Sequence, residues 1–224
     1  MIMKKIILFA LAFSCFVSSG FAQQGTEAGR AAYRKVITGR ADKIAVKLGI
    51  QDTVKKNVVR DIIADQYIAL NDIHSSRDEK IKSLKADKSL DKDVRASKVS
   101  QVEAEAGPKL ARLHNEYMVK LGKQLSKEQI EKVKDGMTYS VLPITYKGYM
   151  EMLPDLKENQ KEQILAYLTE AREYAMNAGS SEKKHAWFGK YKGKINNYLS
   201  AEGVETKKAR EDWERKLKER EQSK

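Results

Sequence analysis

Apolar residues recur at intervals of three and four along most of the chain, which is the spacing of amphipathic helices. The first run ends at Gly49, a residue type that often terminates a helix, and a second, wider run follows it. The two runs consist of Tyr33, Ile37, Ala41, Ile44 and Leu48, then Val54, Val58, Ile62, Ala69 and Ile73, with Val59, Ile63, Tyr67 and Leu70 widening the second. This pattern predicts a helical hairpin.

The middle of the chain predicts a less buried segment followed by a long helix. Residues 75–98 are highly charged with few large apolar side chains, so we expect a partly exposed helix and loop there. A long apolar seam follows, formed by Val99, Val102, Ala106, Leu110, Leu113, Tyr117 and Leu121. Gly107 and Pro108 interrupt the seam. Because proline removes a backbone donor and crowds the preceding turn, a kink or a break is predicted at this point.

Two helix starts in the second half carry the same signature. Ser126 with Gln129, and Asp155 with Glu158, fit the capping box, in which a short polar side chain and a Glu or Gln three residues later close the first turn. The first of these helices should end near Met137.

Between these two helices, residues 138–154 contain three helix breakers, Pro143, Gly148 and Pro154. Their tyrosines and methionines predict a packed connector rather than a free linker. Two further helices are predicted at about 184–199 and from 206 onward.

The fold class predicted from these patterns is all-α. We expect a helical bundle of about six to seven helices after an N-terminal signal peptide at residues 1–22. Residues 23–224 should form a single helical domain, with a hairpin and long helix over 28–122 and a half of capped helices over 123–224.

The N-terminus has the pattern of a secretory signal peptide. Lys4 and Lys5 precede an apolar run at residues 6–17, and small residues end the segment at Ala22. The run is shorter than the roughly 20 residues that span a bilayer, and no transmembrane segment is expected in the mature protein. Cleavage near Ala22 would start the mature chain at Gln23 and place it in the periplasm or outside the cell.

Cys15 is the only cysteine, and it lies inside the apolar run. The mature product would therefore have no disulfide, while a lipid attached to Cys15 is the alternative processing. The 43 Lys and Arg against 31 Asp and Glu give a net charge of +12. An exported basic protein meets anionic glycans and envelope polymers rather than nucleic acid, so no nucleic-acid partner is expected.

One segment, residues 183–198, combines four aromatic side chains, five lysines and two amides. Aromatic faces can stack on sugar rings, amides can bind hydroxyl groups, and lysines can meet carboxylates or sulfates. The predicted ligand-binding residues are His185, Trp187, Lys190, Tyr191, Lys194 and Asn197. The alternative is that this face is core with lysines at its edge, and we favour that alternative for Ile195 and Tyr198.

Signatures of enzymes are sparse. The chain has no His-Glu-x-x-His zinc motif and no Gly-x-Ser-x-Gly nucleophile elbow. Glu182 and His185 have the spacing used in di-metal bundles, but a second such pair is missing. We therefore predict no catalytic residue, no metal and no cofactor. A lyase using Tyr191 or His185 as base, and Lys190 or Arg172 to hold a carboxylate, is an alternative.

Two resemblances add to this picture. The repeats Leu125-Ser-Lys-Glu-Gln129 and Leu156-Lys-Glu-Asn-Gln160 resemble the Leu-Thr-x-x-Gln motif of the periplasmic Spy and CpxP stress chaperones, although both lack its Thr. The runs at 134–139, 152–154, 171–176 and 185–193 together resemble an uncharacterised secreted family, a domain of unknown function, from bacteria that degrade plant polysaccharides. That second resemblance implies sugar binding and supplies no catalytic residues.

The sequence therefore predicts a secreted, non-enzymatic protein whose partner is a carbohydrate, specifically an anionic plant or envelope glycan. A periplasmic holdase of the Spy type, which would bind unfolded clients on a basic helical surface, is the alternative from a different class. A polysaccharide lyase is the third hypothesis.

Overall fold

The structure is a computed structural model that describes residues 27–222. Within that range the chain forms eight α-helices and no strand, which confirms the predicted all-α class. The helices are α1 (Glu27–Val46), α2 (Thr53–Ala86), α3 (Lys92–Gly122), α4 (Lys127–Met137), α5 (Val141–Met152), α6 (Glu158–Met176), α7 (Ser181–Ala201) and α8 (Thr206–Gln222). The predicted signal peptide, including Cys15 and Ala22, lies outside the described residues.

Helices α1 to α4 surround the first of two apolar cores. The buried side chains of this core are Ile37, Ala41, Ile44, Leu48, Val59, Ile63, Ala64, Leu70, Tyr117, Leu121, Leu125, Val133, Met137 and Met176. Helices α1 and α2 form the predicted hairpin, and Gly49 between them has a positive φ of 69°. In α2 the residues facing the core are Val59 and Ile63, while Val54 and Val58 are exposed. The residues of α2 that face the core therefore belong to the set that we expected only to widen the apolar stripe of this helix.

Helix α3 continues through Pro108, so of the predicted kink or break, the break does not occur. Proline removes the hydrogen bond to the carbonyl four residues earlier, here that of Ala104. Both residues are exposed, and water can therefore solvate that carbonyl.

The connector predicted over 138–154 contains a helix of its own, α5. Pro143 is its third residue, and the backbone N–H groups of a first helical turn have no intrahelical partner in any case. Proline is tolerated there for that reason. With α5, residues 27–222 contain eight helices, more than the six to seven expected.

Helices α5, α6 and α7 enclose the second core, and α8 packs on α5 and α7. The buried side chains of the second core are Leu142, Tyr149, Leu156, Ile164, Leu168, Ala171, Ala175, Phe188, Tyr191, Ile195 and Leu199. Among the described residues, no helix has both the length and the apolarity needed to cross a membrane.

Both copies of the repeated leucine–glutamine motif lie at the start of a helix. At α4, Ser126 and Gln129 form the predicted capping box, with reciprocal contacts of 3.3 and 3.2 Å. At α6 the predicted box of Asp155 and Glu158 is wrong, because Gln160 instead accepts from the N–H of Lys157 at 3.0 Å. The two repeats therefore have a structural role in capping these helices.

An ionic joint links α4 and α3 to α6. It consists of Glu131, Lys134 and Asp135 of α4, Arg172 and Glu173 of α6, and His114 of α3. Arg172 is buried and donates to Asp135 at 2.6 Å and to Glu131. Glu173 accepts from Lys134 at 2.8 Å and lies 3.4 Å from His114. This joint fixes α6, the helix that carries half of the site described next.

Candidate functional site

Helices α6 and α7 pack side by side as a hairpin, and the turn between them is set by Ser180, whose hydroxyl accepts from the N–H of Lys183 at 3.1 Å. Their inner faces form the second core. Along one edge of the hairpin, side chains from both helices interdigitate in a surface that we call the aromatic stripe. Its members are Tyr167, Glu170 and Tyr174 of α6, and Trp187, Lys190, Tyr191, Lys194 and Tyr198 of α7.

One end of the aromatic stripe is built on Trp187. Its indole stacks on Tyr174 with ring centroids 4.5 Å apart and an interplanar angle of 15°. The Lys190 ammonium lies 5.1 Å from the centroid of the same indole. Trp187 is half-buried against the second core, whereas Tyr174 is 47% exposed. Tyr174 is therefore the ring of this pair that offers the larger free face to a ligand.

The other end is organised by Lys194. Its ammonium lies 4.4 Å from the ring centroid of Tyr167 and 5.2 Å from that of Tyr191, and 3.5 Å from a carboxylate oxygen of Glu170. Cations over aromatic faces are attracted by the ring quadrupole. Lysine and aromatic groups thus alternate along the edge, with one carboxylate at the Lys194 end.

Tyr191 is the buried base of the aromatic stripe, since only 6% of it is exposed and its ring packs in the second core. Burial, and then its hydrogen bond to Glu170, raise the pKa of the Tyr191 hydroxyl to about 12. A hydroxyl that holds its proton so strongly is a poor general base near neutral pH. Of the two bases considered for a lyase, Tyr191 is therefore disfavoured.

Arg172, considered as the residue that holds a substrate carboxylate, is also committed elsewhere. Its guanidinium is buried and bonded to Glu131 and Asp135 in the ionic joint. Arg172 therefore has a structural role in joining α4 to α6.

The six predicted ligand-binding residues do not share one face. Trp187, Lys190, Tyr191 and Lys194 belong to the aromatic stripe, as their helical spacing predicts. The remaining two, His185 and Asn197, are exposed, and His185 stacks on Tyr139 of the α4–α5 turn with ring centroids 5.3 Å apart. Residues 185 and 187 are about 200° apart around a helix of 3.6 residues per turn, which places His185 on the other side of α7.

Ile195 and Tyr198, for which we favoured a core position, differ in burial. Ile195 is fully buried, as expected. Tyr198 is only partly buried, and it meets Tyr167 edge-on with centroids 6.1 Å apart.

Sequence reasoning missed the α6 half of the stripe. Tyr167, Glu170 and Tyr174 are spaced by three and four residues, so they share one face of α6. That spacing, together with the short turn before α7, could have indicated that they face the aromatic segment of α7.

Among the described residues, no group of three or more His, Cys, Asp or Glu side chains could hold a metal ion. His185, which has the i, i+3 spacing from Glu182 noted above, uses its Nδ1 to donate to the carbonyl of Ser181 at 2.8 Å.

A family model described as "Protein of unknown function (DUF3826)" matches residues 34–219, most of the chain. No curated protein matches the sequence.

Proposed function

The chain belongs to the DUF3826 family of proteins of unknown function, and from the contacts of its own side chains we propose that it is a non-enzymatic carbohydrate-binding protein. Its ligand is an anionic plant or envelope glycan, and its binding surface is the aromatic stripe. The observation that carries this proposal is the alternation of exposed lysines with aromatic rings, Lys190 over Trp187 and Lys194 over Tyr167.

The chemistry of the stripe fits an acidic sugar chain. The face of Tyr174 can stack on the C–H groups of a pyranose ring, as aromatic rings do in sugar sites. The ammonium groups of Lys190 and Lys194 lie at the edges of the rings and can swing outward to meet carboxylates, because both side chains are exposed. A neutral sugar would make the stacking contact with Tyr174 but could not form ion pairs with Lys190 and Lys194.

We also propose that the protein acts in the periplasm or outside the cell, where such glycans occur. The support is the sequence pattern that ends at Ala22. Mass spectrometry of the exported protein should find Gln23 as its first residue. An uncut N-terminus, or a lipid on Cys15, would contradict this assignment.

Isothermal titration with paired oligosaccharides tests the binding proposal. Oligogalacturonate is compared with the same oligosaccharide after methyl esterification, which removes its charge and keeps its rings. The parent protein should bind the acidic form in a saturable manner and the ester more weakly. Tyr174→Ala should weaken both by roughly fivefold or more, because it removes the stacking face.

Variants of exposed lysines separate charge from stacking. Lys190→Ala should weaken binding of the acidic form at low salt, and this effect should shrink as salt screens charges beyond about 8 to 10 Å. Lys192→Ala is the matched control, since Lys192 is an exposed lysine of α7 outside the aromatic stripe. If Tyr174→Ala and Lys190→Ala bind as the parent does while remaining folded, the proposed surface is wrong.

The same protein tests the holdase hypothesis. A sugar-binding protein should leave the aggregation of unrelated unfolded proteins unchanged, whereas a holdase should suppress it at stoichiometric concentrations. Suppression without saturable binding of any glycan would favour the holdase and overturn the carbohydrate proposal.

A further inference from the structure

The two lysines of the aromatic stripe differ in their ionic partners. Lys194 lies 3.5 Å from a carboxylate oxygen of Glu170, and about half of each side chain is exposed. Lys190 is also exposed, but among the residues that the structure describes no carboxylate lies within ion-pair distance of its ammonium. The positive charge of the stripe is therefore compensated at the Lys194 end and uncompensated at the Lys190 end.

The Lys194 end is held together by contacts among its own groups. Besides Glu170, the Lys194 ammonium meets the rings of Tyr167 and Tyr191, at 4.4 and 5.2 Å from their centroids. The Tyr191 hydroxyl is hydrogen-bonded to Glu170 as well. A ligand carboxylate could capture Lys194 only by drawing it away from these partners, and Glu170 would then be an unpaired negative charge beside the ligand. Like charges placed together oppose binding.

Glu170 is suited to a different kind of ligand group. An ionised carboxylate only accepts hydrogen bonds, and its two oxygens offer about four lone-pair positions. Lys194 and Tyr191 are the donors that Glu170 has in the described part of the chain, so positions remain free on a side chain that is 47% exposed. The hydroxyl groups of a sugar can donate to these positions, whereas an ionised carboxylate has no proton to donate.

The Lys190 end has the opposite character. Its ammonium lies 5.1 Å from the centroid of the Trp187 indole, and the neighbouring Tyr174 offers a free ring face. A ligand carboxylate can pair with Lys190 without displacing a carboxylate of the protein. Lys190 and Lys194 are four residues apart, about 6 Å along the helix axis, so neighbouring rings of one glycan chain can meet the two ends.

We infer that the aromatic stripe selects a glycan in which an acidic sugar is linked to a neutral one, rather than a chain of acidic sugars alone. The acidic sugar stacks on Tyr174 and pairs with Lys190. The neutral sugar lies against Tyr167 and donates hydroxyl hydrogen bonds to Glu170. Lys194 stays with Glu170, which thereby excludes a second ligand charge. This selectivity rests on the proposed function, since it specifies the ligand of the same surface.

Titration calorimetry with three forms of tetragalacturonate tests the selectivity. One form is fully acidic, one carries methyl esters on alternate rings, and one is fully esterified, so the number of rings that can stack is constant. The parent protein should bind the alternating form at least as tightly as the fully acidic form, and the fully esterified form about threefold or more weakly. Tighter binding of the fully acidic form would show that both lysines take carboxylates, and it would overturn the inference.

Glu170→Gln should reverse the preference. The amide oxygen can still accept from Tyr191, but the side chain no longer compensates Lys194, whose ammonium becomes available to a second carboxylate. The fully acidic form should then bind more tightly than the alternating form by roughly two- to fivefold at low salt, and added salt should reduce the difference. If Glu170→Gln keeps the parent's preference, Glu170 does not set the selectivity.

Glu162→Gln is the matched control for this variant. Glu162 is an exposed glutamate of α6 outside the aromatic stripe, and its substitution changes the net charge of the protein by the same amount. Glu162→Gln should therefore retain the preference of the parent. A reversal in both variants would mean that overall charge, rather than Glu170, decides between the two glycans.

Lys190→Ala tests which lysine takes the ligand carboxylate. In this variant the alternating and fully esterified forms should bind alike, because the ring contacts remain and the charge contact is lost. A retained preference for the alternating form would contradict the role of Lys190. If the parent binds none of the three forms, the carbohydrate proposal fails and the selectivity fails with it. If the parent binds them but favours the fully acidic form, the carbohydrate proposal stands and only the selectivity is wrong.

Discussion

Arg172 of α6 donates a 2.6 Å hydrogen bond to Asp135 of α4 while only 4% of the Arg172 side chain is exposed. This pair crosses between the two apolar cores. Glu131 accepts a second bond from the same guanidinium and is half exposed. Part of the contact between the cores is thus made by charged groups that must satisfy one another, because leaving either side alone would strand a buried charge.

Replacing Arg172 by alanine should therefore destabilise the fold strongly. We expect a loss of roughly 3 kcal/mol in the free energy of unfolding, at the low end for a broken buried pair because Glu131 can be hydrated. Urea denaturation measures the effect. The control is Arg112→Ala, which breaks the exposed pair of Arg112 with Glu116 and should cost less than about 1 kcal/mol. Equal effects for the two variants would contradict a special role for Arg172.

Glu173 should make the protein sensitive to acid. Burial alone would raise the pKa of its carboxyl, but hydrogen bonds from His114 and Lys134 lower the pKa to about 2, from an ordinary value of 4.5. A depressed folded-state pKa contributes stability that is present above pH 4.5 and is lost as the pH falls toward 2. Glu173→Gln should therefore lose less stability than the parent across this window in acid titrations followed by circular dichroism. Glu162→Gln, at an exposed position of α6, should behave as the parent.

Lys184 should destabilise the folded protein near neutral pH. Burial, followed by the charge of Arg40, lowers its pKa from 10.5 to about 8. Between these values the unfolded chain binds a proton that the folded chain does not, so the contribution of Lys184 to stability rises with pH from 8 to 10.5. Lys184→Met removes this cost and should be more stable than the parent at pH 7 by roughly 1 to 3 kcal/mol.

The pH dependence is the decisive measurement for Lys184. The difference in the free energy of unfolding between Lys184→Met and the parent should shrink as the pH rises from 8 to 10.5. A difference that stays constant over this range would mean that Lys184 keeps its ordinary proton affinity in the folded protein.

Gly179 is required for close packing of the α6–α7 turn against α2. A Cβ at this position would lie 2.7 Å from Cγ of His74. His74 is buried and its Nε2 donates to the carbonyl of Asn177 at 2.8 Å, so the ring cannot retreat without losing that bond. Gly179→Ala should cost roughly 1 to 3 kcal/mol by overpacking.

A second glycine supplies the matched control for Gly179. A Cβ at Gly189, inside α7, meets nothing within 4 Å, so Gly189→Ala should stabilise the protein by roughly 0.5 to 1 kcal/mol through the higher helix propensity of alanine. Chemical denaturation of the two variants should therefore shift in opposite directions. A shift in the same direction would contradict the packing argument for Gly179.

The helices were predictable because their apolar spacing and end signals are local. Gly49 and the Ser126 box appear in the sequence as they do in the structure. The helices do not break at Pro108 or Pro143, because the effect of a proline depends on whether the affected carbonyl is exposed and on its position in the helix. Neither property is visible before the helix ends and packing are known.

Only the α7 part of the candidate site could be predicted from the sequence. Helical spacing placed Trp187 and Lys194 together, but their partners Tyr174 and Tyr167 come from another helix, and only the packing of α6 on α7 brings them within reach. The backbone of Tyr139 has a left-handed conformation, with φ 59°. The sequence does not indicate this, because the residue type usual in that conformation is glycine.

The ionic joint has a consequence for how the molecule opens. Besides the packing of Met176 in the first core and of the α6–α7 turn on His74, the charged groups of α3, α4 and α6 join the two cores. Apolar contact couples neighbouring segments into one cooperative unit, whereas ion pairs at a partly hydrated boundary weaken as salt or acid rises. We therefore expect the two cores to show separate protection levels in amide hydrogen exchange, and these levels should diverge as ionic strength increases.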